Sequence, residues 1–120
     1  MKELTPVLGA GEVLDIQSLA TKVRVEEDIV NYIIAIAQGT RRHKGINLGV
    51  SPRGTMTLYR AAQAFALTSG RDYCTPDDVK KLVTPVFAHR IIPAASIIGE
   101  EVGEAGMLLE EILSGITVPI

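Results

Sequence analysis

Apolar residues recur at three- and four-residue spacing through most of the chain, the period of helices that bury one face. Val13, Ile16, Ala20 and Val23 predict a first helix over about residues 12–23. Ile29, Ile33, Ile36 and Ala37, with Tyr32 on the shoulder, predict a second over about 26–42. Its first turn carries Glu26, Glu27 and Asp28, and Arg41, Arg42, His43 and Lys44 crowd its end before Gly45. Acid first, base last and then glycine is the order that the helix dipole and the C-cap favour. Leu58, Ala62, Phe65 and Ala66 predict a third helix from Pro52 to about Ser69, ended by Gly70. Its alanines at 61, 62, 64 and 66 let a neighbouring helix come close. A fourth helix presents Val79, Leu82, Val83 and Val86, carries Pro85 inside it and is stopped by Pro93. A last helix spans about 101–114, with Leu108, Leu109, Ile112 and Leu113.

The joints between these segments are written in turn chemistry. Thr5-Pro6 and Gly9-Ala10-Gly11 resist helix, so residues 1–11 are expected to be extended and to link to something upstream. Between the second and third helices, Ile46 and Leu48 alternate with polar or glycine neighbours. That pattern is too short to predict a strand, so 45–50 is expected as a loop. Thr75-Pro76-Asp77-Asp78 reads as a helix start: a capping threonine, proline at the first position and Asp78 closing a shortened capping box. Cys74 and Val79 stand where a hydrophobic staple would be. The expectation is an all-α fold, a small bundle of four main helices plus a C-terminal helix and tail. It divides into a linker over 1–11, a helical domain over 12–92 and a C-terminal extension over 93–120.

Composition narrows the chemistry. With 120 residues, 47% of them hydrophobic and 22% charged, the chain suits one globular core. Two Phe, three Tyr and no Trp make that core aliphatic and alanine-rich. One cysteine allows no internal disulfide and no cysteine-based zinc site, and no histidine or cysteine sits at metal spacing, so no metal is expected. The start shows no signal-peptide pattern and no apolar run approaches a membrane span, so a cytoplasmic protein without membrane insertion is expected. The net charge of −2 offers no overall basic field for nucleic acid.

One stretch breaks local rules. In Gly49-Val50-Ser51-Pro52-Arg53-Gly54, Ser51 is a good N-cap and Pro52 suits the first helical position. Arg53 then puts a cation beside the positive end of the helix dipole, where it loses about 0.3–1 kcal/mol. Gly54 costs about 1 kcal/mol more than Ala within a helix. Such violations mark candidate sites, and free N–H groups beside a guanidinium suit a phosphate. From these residues alone, Arg53 reads as a solvated surface arginine.

Other polar residues have plain structural readings. Arg60 lies two turns on, suited to a surface or inter-helix ion pair and, as a lesser alternative, to lining a cleft. The Arg41–Lys44 cluster is a helix end first and a basic contact patch second. Asp77 and Asp78 are capping acids, Cys74 a small apolar staple, and His89 a hydrogen-bonded packing residue. Tyr73 is expected to pack where the third and fourth helices meet. Glu100, Glu101, Glu104, Glu110 and Glu111 form a solvated face.

Four blocks in order carry a resemblance: Gly49-Val50-Ser51-Pro52-Arg53-Gly54, Arg60-Ala61-Ala62-Gln63-Ala64, Gly70-Arg71-Asp72-Tyr73-Cys74-Thr75-Pro76-Asp77-Asp78-Val79 and Ala88-His89-Arg90-Ile91. Together they resemble the C-terminal lid of the MoxR family of AAA+ ATPases. Thr5-Pro6-Val7-Leu8 is similar to that family's passage from ATPase core to lid. The likeness spans nearly the whole chain. It implies an AAA+ lid-type bundle and places Arg53 at the sensor 2 position, reaching the terminal phosphate of ATP held by the adjoining core. Ser51, Pro52, Gly54 and Arg60 would then line the cleft. Two departures stand out: Gly54 replaces the family's usual alanine, and Val25-Glu26 replaces a serine cap, so the second helix is expected to fray at its start.

The chain contains no G-x-x-x-x-G-K-[ST] phosphate loop and no apolar strand ending in Asp-Glu. Alone it is expected to hydrolyse nothing and to hold no cofactor, with ATP and Mg2+ belonging to the full-length protein. The resemblance implies its own N-terminal ATPase core, neighbouring subunits of a ring and von Willebrand A-type proteins as partners, in a chaperone-like or metal-inserting machine. Two other readings compete. A helix opening Ser-Pro-Arg imitates a DNA-recognition helix, which the acidic net charge opposes, so no nucleic-acid partner is expected. A helical adaptor for a partner peptide is the other, with Met107–Leu113 as its apolar segment.

Overall fold

A computed structural model describes residues 3–94 and 101–120, with backbone alone for 101–103. The helices are α1 (Ala10–Thr21), α2 (Glu27–Arg42), α3 (Pro52–Thr68), α4 (Pro76–Phe87) and α5 (Glu101–Ser114). Two short strands, β1 (Ile46–Leu48) and β2 (Ile92–Pro93), pair antiparallel, and Ala88–Arg90 forms one turn of 3-10 helix. The fold is helical, with this ribbon as its one addition among the described residues. The side chains of Glu100 and Glu101 lie outside the described residues.

The helical periodicity translates directly into the core. Ile33 and Ile36 of α2, Leu58, Ala62 and Ala66 of α3, and Val79, Val83 and Phe87 of α4 are buried together. α3 packs against α1, α2 and α4, and its alanines allow the close approach. α5 closes the bundle over α2 and α4 through Ala105, Leu109, Ile112 and Leu113. Phe65, Leu82 and Val86 line the rim, half-buried.

Six expectations need correction. The first helix begins at Ala10 and ends at Thr21, two residues ahead of its expected span, because Glu12 reaches back to the Gly9 N–H and offsets the two glycines. Its expected inner face is only half right: Val23 is buried and Ala20 partly so, but Val13 and Ile16 are 40 and 43% exposed, and Leu14 and Leu19 beside them are open too, since α1 packs mainly along α3. The 45–50 loop contains a strand. β1 exists because the chain after α4 returns to pair with it, matching Ile46 to Pro93 and Leu48 to Ile92. That return also ends α4 at Phe87, well before Pro93, which sits in an edge strand where its missing N–H costs nothing. His89 is exposed in this turn rather than packed, and Tyr73 is 42% exposed in the α3–α4 connection.

The connections are fastened by polar groups. Gln63, buried on α3, donates to the Val23 carbonyl at 2.9 Å and ties the α1–α2 link to the bundle. Arg24 donates its backbone N–H to Asp72 at 2.8 Å and accepts from Cys74 N–H at 2.9 Å, joining that link to the α3–α4 connection. α4 has the expected capping box, with Thr75 Oγ1 accepting from Asp78 N–H and Asp78 Oδ2 from Thr75 N–H. Arg71 adds a bidentate pair to the same buried carboxylate, at 2.8 and 2.6 Å, and its guanidinium lies 5.7 Å from the Tyr73 ring centre.

Burial favours the neutral form of Asp78, but hydrogen bonds from Arg71 and the Thr75 N–H outweigh it, and the carboxyl titrates below its usual range. Such a group stabilises the fold above its unfolded pKa of about 3.9, and this contribution is lost as pH falls through the lower folded value. Thermal melts should therefore show the stability gap between wild type and Asp78→Asn narrowing as pH drops below about 4. A gap independent of pH would contradict this coupling.

Cys74 occupies its staple position, 4% exposed. Burial first, and then the Asp78 charge, push its thiol up to about 11 against the lowering effect of Arg71. Iodoacetamide at about pH 8 should leave Cys74 unlabelled in the native chain and modify it once denaturant unfolds the bundle. Rapid native labelling would count against this environment.

Candidate functional site

The site forms where the end of α2, the start of α3 and the turn after α4 meet. Thr40 Oγ1, buried on α2, accepts from the Val50 N–H at 2.9 Å, and Arg41 Nε donates to the Val50 carbonyl at 2.8 Å. These two bonds fix the residue that leads into α3. Ser51 then caps the helix, its Oγ accepting from the Gly54 N–H at 3.1 Å, with Pro52 at the first position.

Arg53 follows in this first turn. Its side chain is exposed at the positive end of a 17-residue helix. Among the described residues the ion pairs are Arg24–Glu26, His43–Glu111 and Arg71–Asp78, so no local carboxylate neutralises it. The first turn of α3 also lacks any acidic residue. The Gly54 N–H is taken by Ser51 Oγ and the Thr55 N–H by the Ser51 carbonyl, so it is the guanidinium, at the positive end of the helix, that can bind an oxyanion.

Two glycines shape the surroundings. Gly54 is buried, and a Cβ there would lie 2.7 Å from Val50 Cγ1 and 3.3 Å from Arg90 Cδ. A Cβ at Gly49 would lie 2.7 Å from the Arg41 backbone nitrogen and 2.8 Å from its Cα. Real side chains do not approach backbone so closely, so α2 and the Arg90 stem fit here because glycine leaves room. A groove of about 500 Å3 results, lined by Arg41, Leu48, Gly49, Val50, Ser51 and Arg90.

Of the residues expected to line the cleft beside Arg53, Ser51 lines this groove. Arg53 and Pro52 stand exposed at the helix start, outside its lining, and Gly54 is packed beneath. Arg60 is exposed and joins none of the ion pairs among the described residues, contrary to its expected pairing. Arg41 and Arg90 were not predicted to share a site. They are 49 positions apart in sequence, and only the glycine spacing hints at what packs there. The basic cluster at the end of α2 is divided in three dimensions. Arg41 turns to this groove, whereas Arg42 and His43 line another beside α5. His43 Nδ1 accepts from the Gly45 N–H at 2.9 Å, leaving Nε2 3.3 Å from Glu111. No cluster of three or more potential metal ligands occurs among the described residues, and no helix there is long and apolar enough to cross a membrane.

Comparison with known proteins places this geometry. The family model described as the AAA lid domain matches residues 38–106, from the last turn of α2 into α5. The whole chain aligns with YeaC of Bacillus subtilis at 38% identity, covering 37% of that protein. Chaperone MoxR1 of Mycobacterium tuberculosis is 25% identical over 94% of the chain and 32% of its own length. The crystal structure of a presumed ATPase from Cytophaga hutchinsonii superposes with a TM-score of 0.78 at 27% identity, over 92% of this chain and 36% of that one. The chain thus spans about a third of the length of these relatives. With the family model covering more than half of the sequence and a helical bundle that matches a solved relative over 92% of the chain, this chain belongs to the AAA lid domain family, as a lid of the MoxR-family AAA+ ATPases.

Proposed function

We propose that this domain is the nucleotide-sensing lid of an ATP hydrolase, and that Arg53 is its sensor 2 arginine. The observation that carries the reading is the exposed, unpaired guanidinium in the first turn of α3. The position disfavours a cation unless an anion arrives, and the terminal phosphate of Mg2+–ATP on an adjoining core is such an anion. A bound phosphate would interact favourably with both the dipole and the guanidinium. Capping by Ser51 and the Thr40–Val50–Arg41 bonds keep the side chain's base rigid, so the lid moves as one body when the phosphate leaves.

The open apolar side of α1 supports the same reading. Leu14 and Leu19, together with Leu4 and Val7 ahead of the helix, offer a surface suited to an ATPase core or a neighbouring subunit of a ring. On this reading the lid couples hydrolysis to ring geometry inside a cytoplasmic, chaperone-like or metal-inserting machine whose partners include von Willebrand A-type proteins. The test is ATP hydrolysis by the full-length protein carrying Arg53→Ala, set against wild type. Undiminished turnover would refute the role assigned to Arg53.

A further inference from the structure

The groove beside α3 holds two arginines that the role of Arg53 leaves unused. Arg41 comes from the last turn of α2 and Arg90 from the 3-10 turn after α4, and both line the same cavity of about 500 Å3. Each is anchored through Nε, Arg41 to the Val50 carbonyl at 2.8 Å and Arg90 to the Val86 carbonyl at 3.0 Å. A guanidinium carries five N–H donors in one rigid plane. Anchoring Nε therefore leaves the two terminal nitrogens available, with much of the side chain's freedom already spent on the anchor.

The anchoring is built into the backbone. Gly49 and Gly54 admit the two arginine stems, and a Cβ at either position would crowd them. Neither arginine is paired with a carboxylate among the described residues. The positive end of α3 adds potential of the same sign. Leu48, 58% exposed, supplies an apolar wall, so the groove suits an anion with an apolar or ring-bearing body.

The geometry points to a phosphate-binding groove in which Arg41 and Arg90 hold the phosphates of a nucleotide whose ring lies against Leu48. The inference rests on the lid reading for the nature of the nucleotide and on the groove itself for the charge. Amide NMR of the 120-residue chain, titrated separately with ADP, inorganic pyrophosphate and adenosine, tests it. ADP and pyrophosphate should each move the Gly49 and Ser51 amides, and adenosine should not. ADP should bind at least about threefold more tightly than pyrophosphate, because of its ring contact. Arg41→Gln and Arg90→Gln should each weaken pyrophosphate binding by about tenfold, and Arg53→Ala by clearly less.

The amide dispersion of each variant reports its folding. Arg90→Gln carries the test if Arg41→Gln, which removes the anchor on Val50, unfolds. Shifts that vanish only in Arg53→Ala would overturn the groove while leaving the sensor 2 reading intact. No shift at Gly49 and Ser51 with either phosphate would also overturn it. Equal affinity for ADP and pyrophosphate would overturn the nucleotide assignment. Loss of hydrolysis on Arg53→Ala in the full-length protein is a separate readout, so failure of one proposal does not mimic failure of the other.

Discussion

Arg53→Ala in the full-length protein is expected to lower ATP hydrolysis by roughly 10²–10³-fold, the usual loss when one donor to a developing charge is removed. The same substitution should leave the lid's melting temperature nearly unchanged, or slightly raised. Arg53 is exposed and joins no ion pair among the described residues, so its removal opens no cavity and orphans no partner. It also removes a first-turn cation, worth about 0.3–1 kcal/mol against the helix. Activity and stability should therefore move independently. Hydrolysis assays beside thermal melts measure both, and a mutant that loses activity only because its lid unfolds would disprove the assignment.

Leu109→Ala should produce the largest stability loss among the changes considered. Leu109 is fully buried where α5 meets the bundle, and truncating such a leucine costs about 2–5 kcal/mol. A domain of this length holds roughly 6–18 kcal/mol in all, so the substitution removes a substantial share. The melting temperature should drop by roughly 8–20 °C. Met107→Ala, two residues away and 75% exposed, should change stability by less than about 0.5 kcal/mol. Equal melts for the two variants would mean that α5 is not part of the cooperative core.

Most of the fold was legible because it rests on local rules. The Thr75-Pro76-Asp77-Asp78 start needs only a cap, a proline and an acid in order, and α4 begins there. α5 runs from Glu101 to Ser114 as its apolar spacing predicts. One misreading was local: Gly9-Ala10-Gly11 looks helix-breaking, yet a side-chain bond from Glu12, three residues on, lets α1 begin at Ala10. The others fell where distant residues decide. Ile46–Leu48 is too short to read as a strand until Ile92 and Pro93 return beside it. Asp78 reads as a cap, and its second partner, Arg71, is visible only once the α3–α4 connection folds back.

The candidate site divides in the same way. The Ser51 cap and the first-position Pro52 were legible because capping rules act within one turn, whereas from local rules alone Arg53 reads as a misplaced but solvated cation. Arg41 and Arg90 belong to different elements, and no short-range rule links them. Gly54 shows the division within one residue: its sequence reading is a loosened helix turn, while its packed environment shows a glycine demanded by Val50 and Arg90. Sequence alone determined which segments are helical, the caps of α3 and α4 and the one misplaced charge, since each depends on neighbours within four residues. Only the tertiary structure decided which face of α1 stayed open, where α4 stopped and which arginines came together, because those outcomes depend on surfaces meeting across the chain.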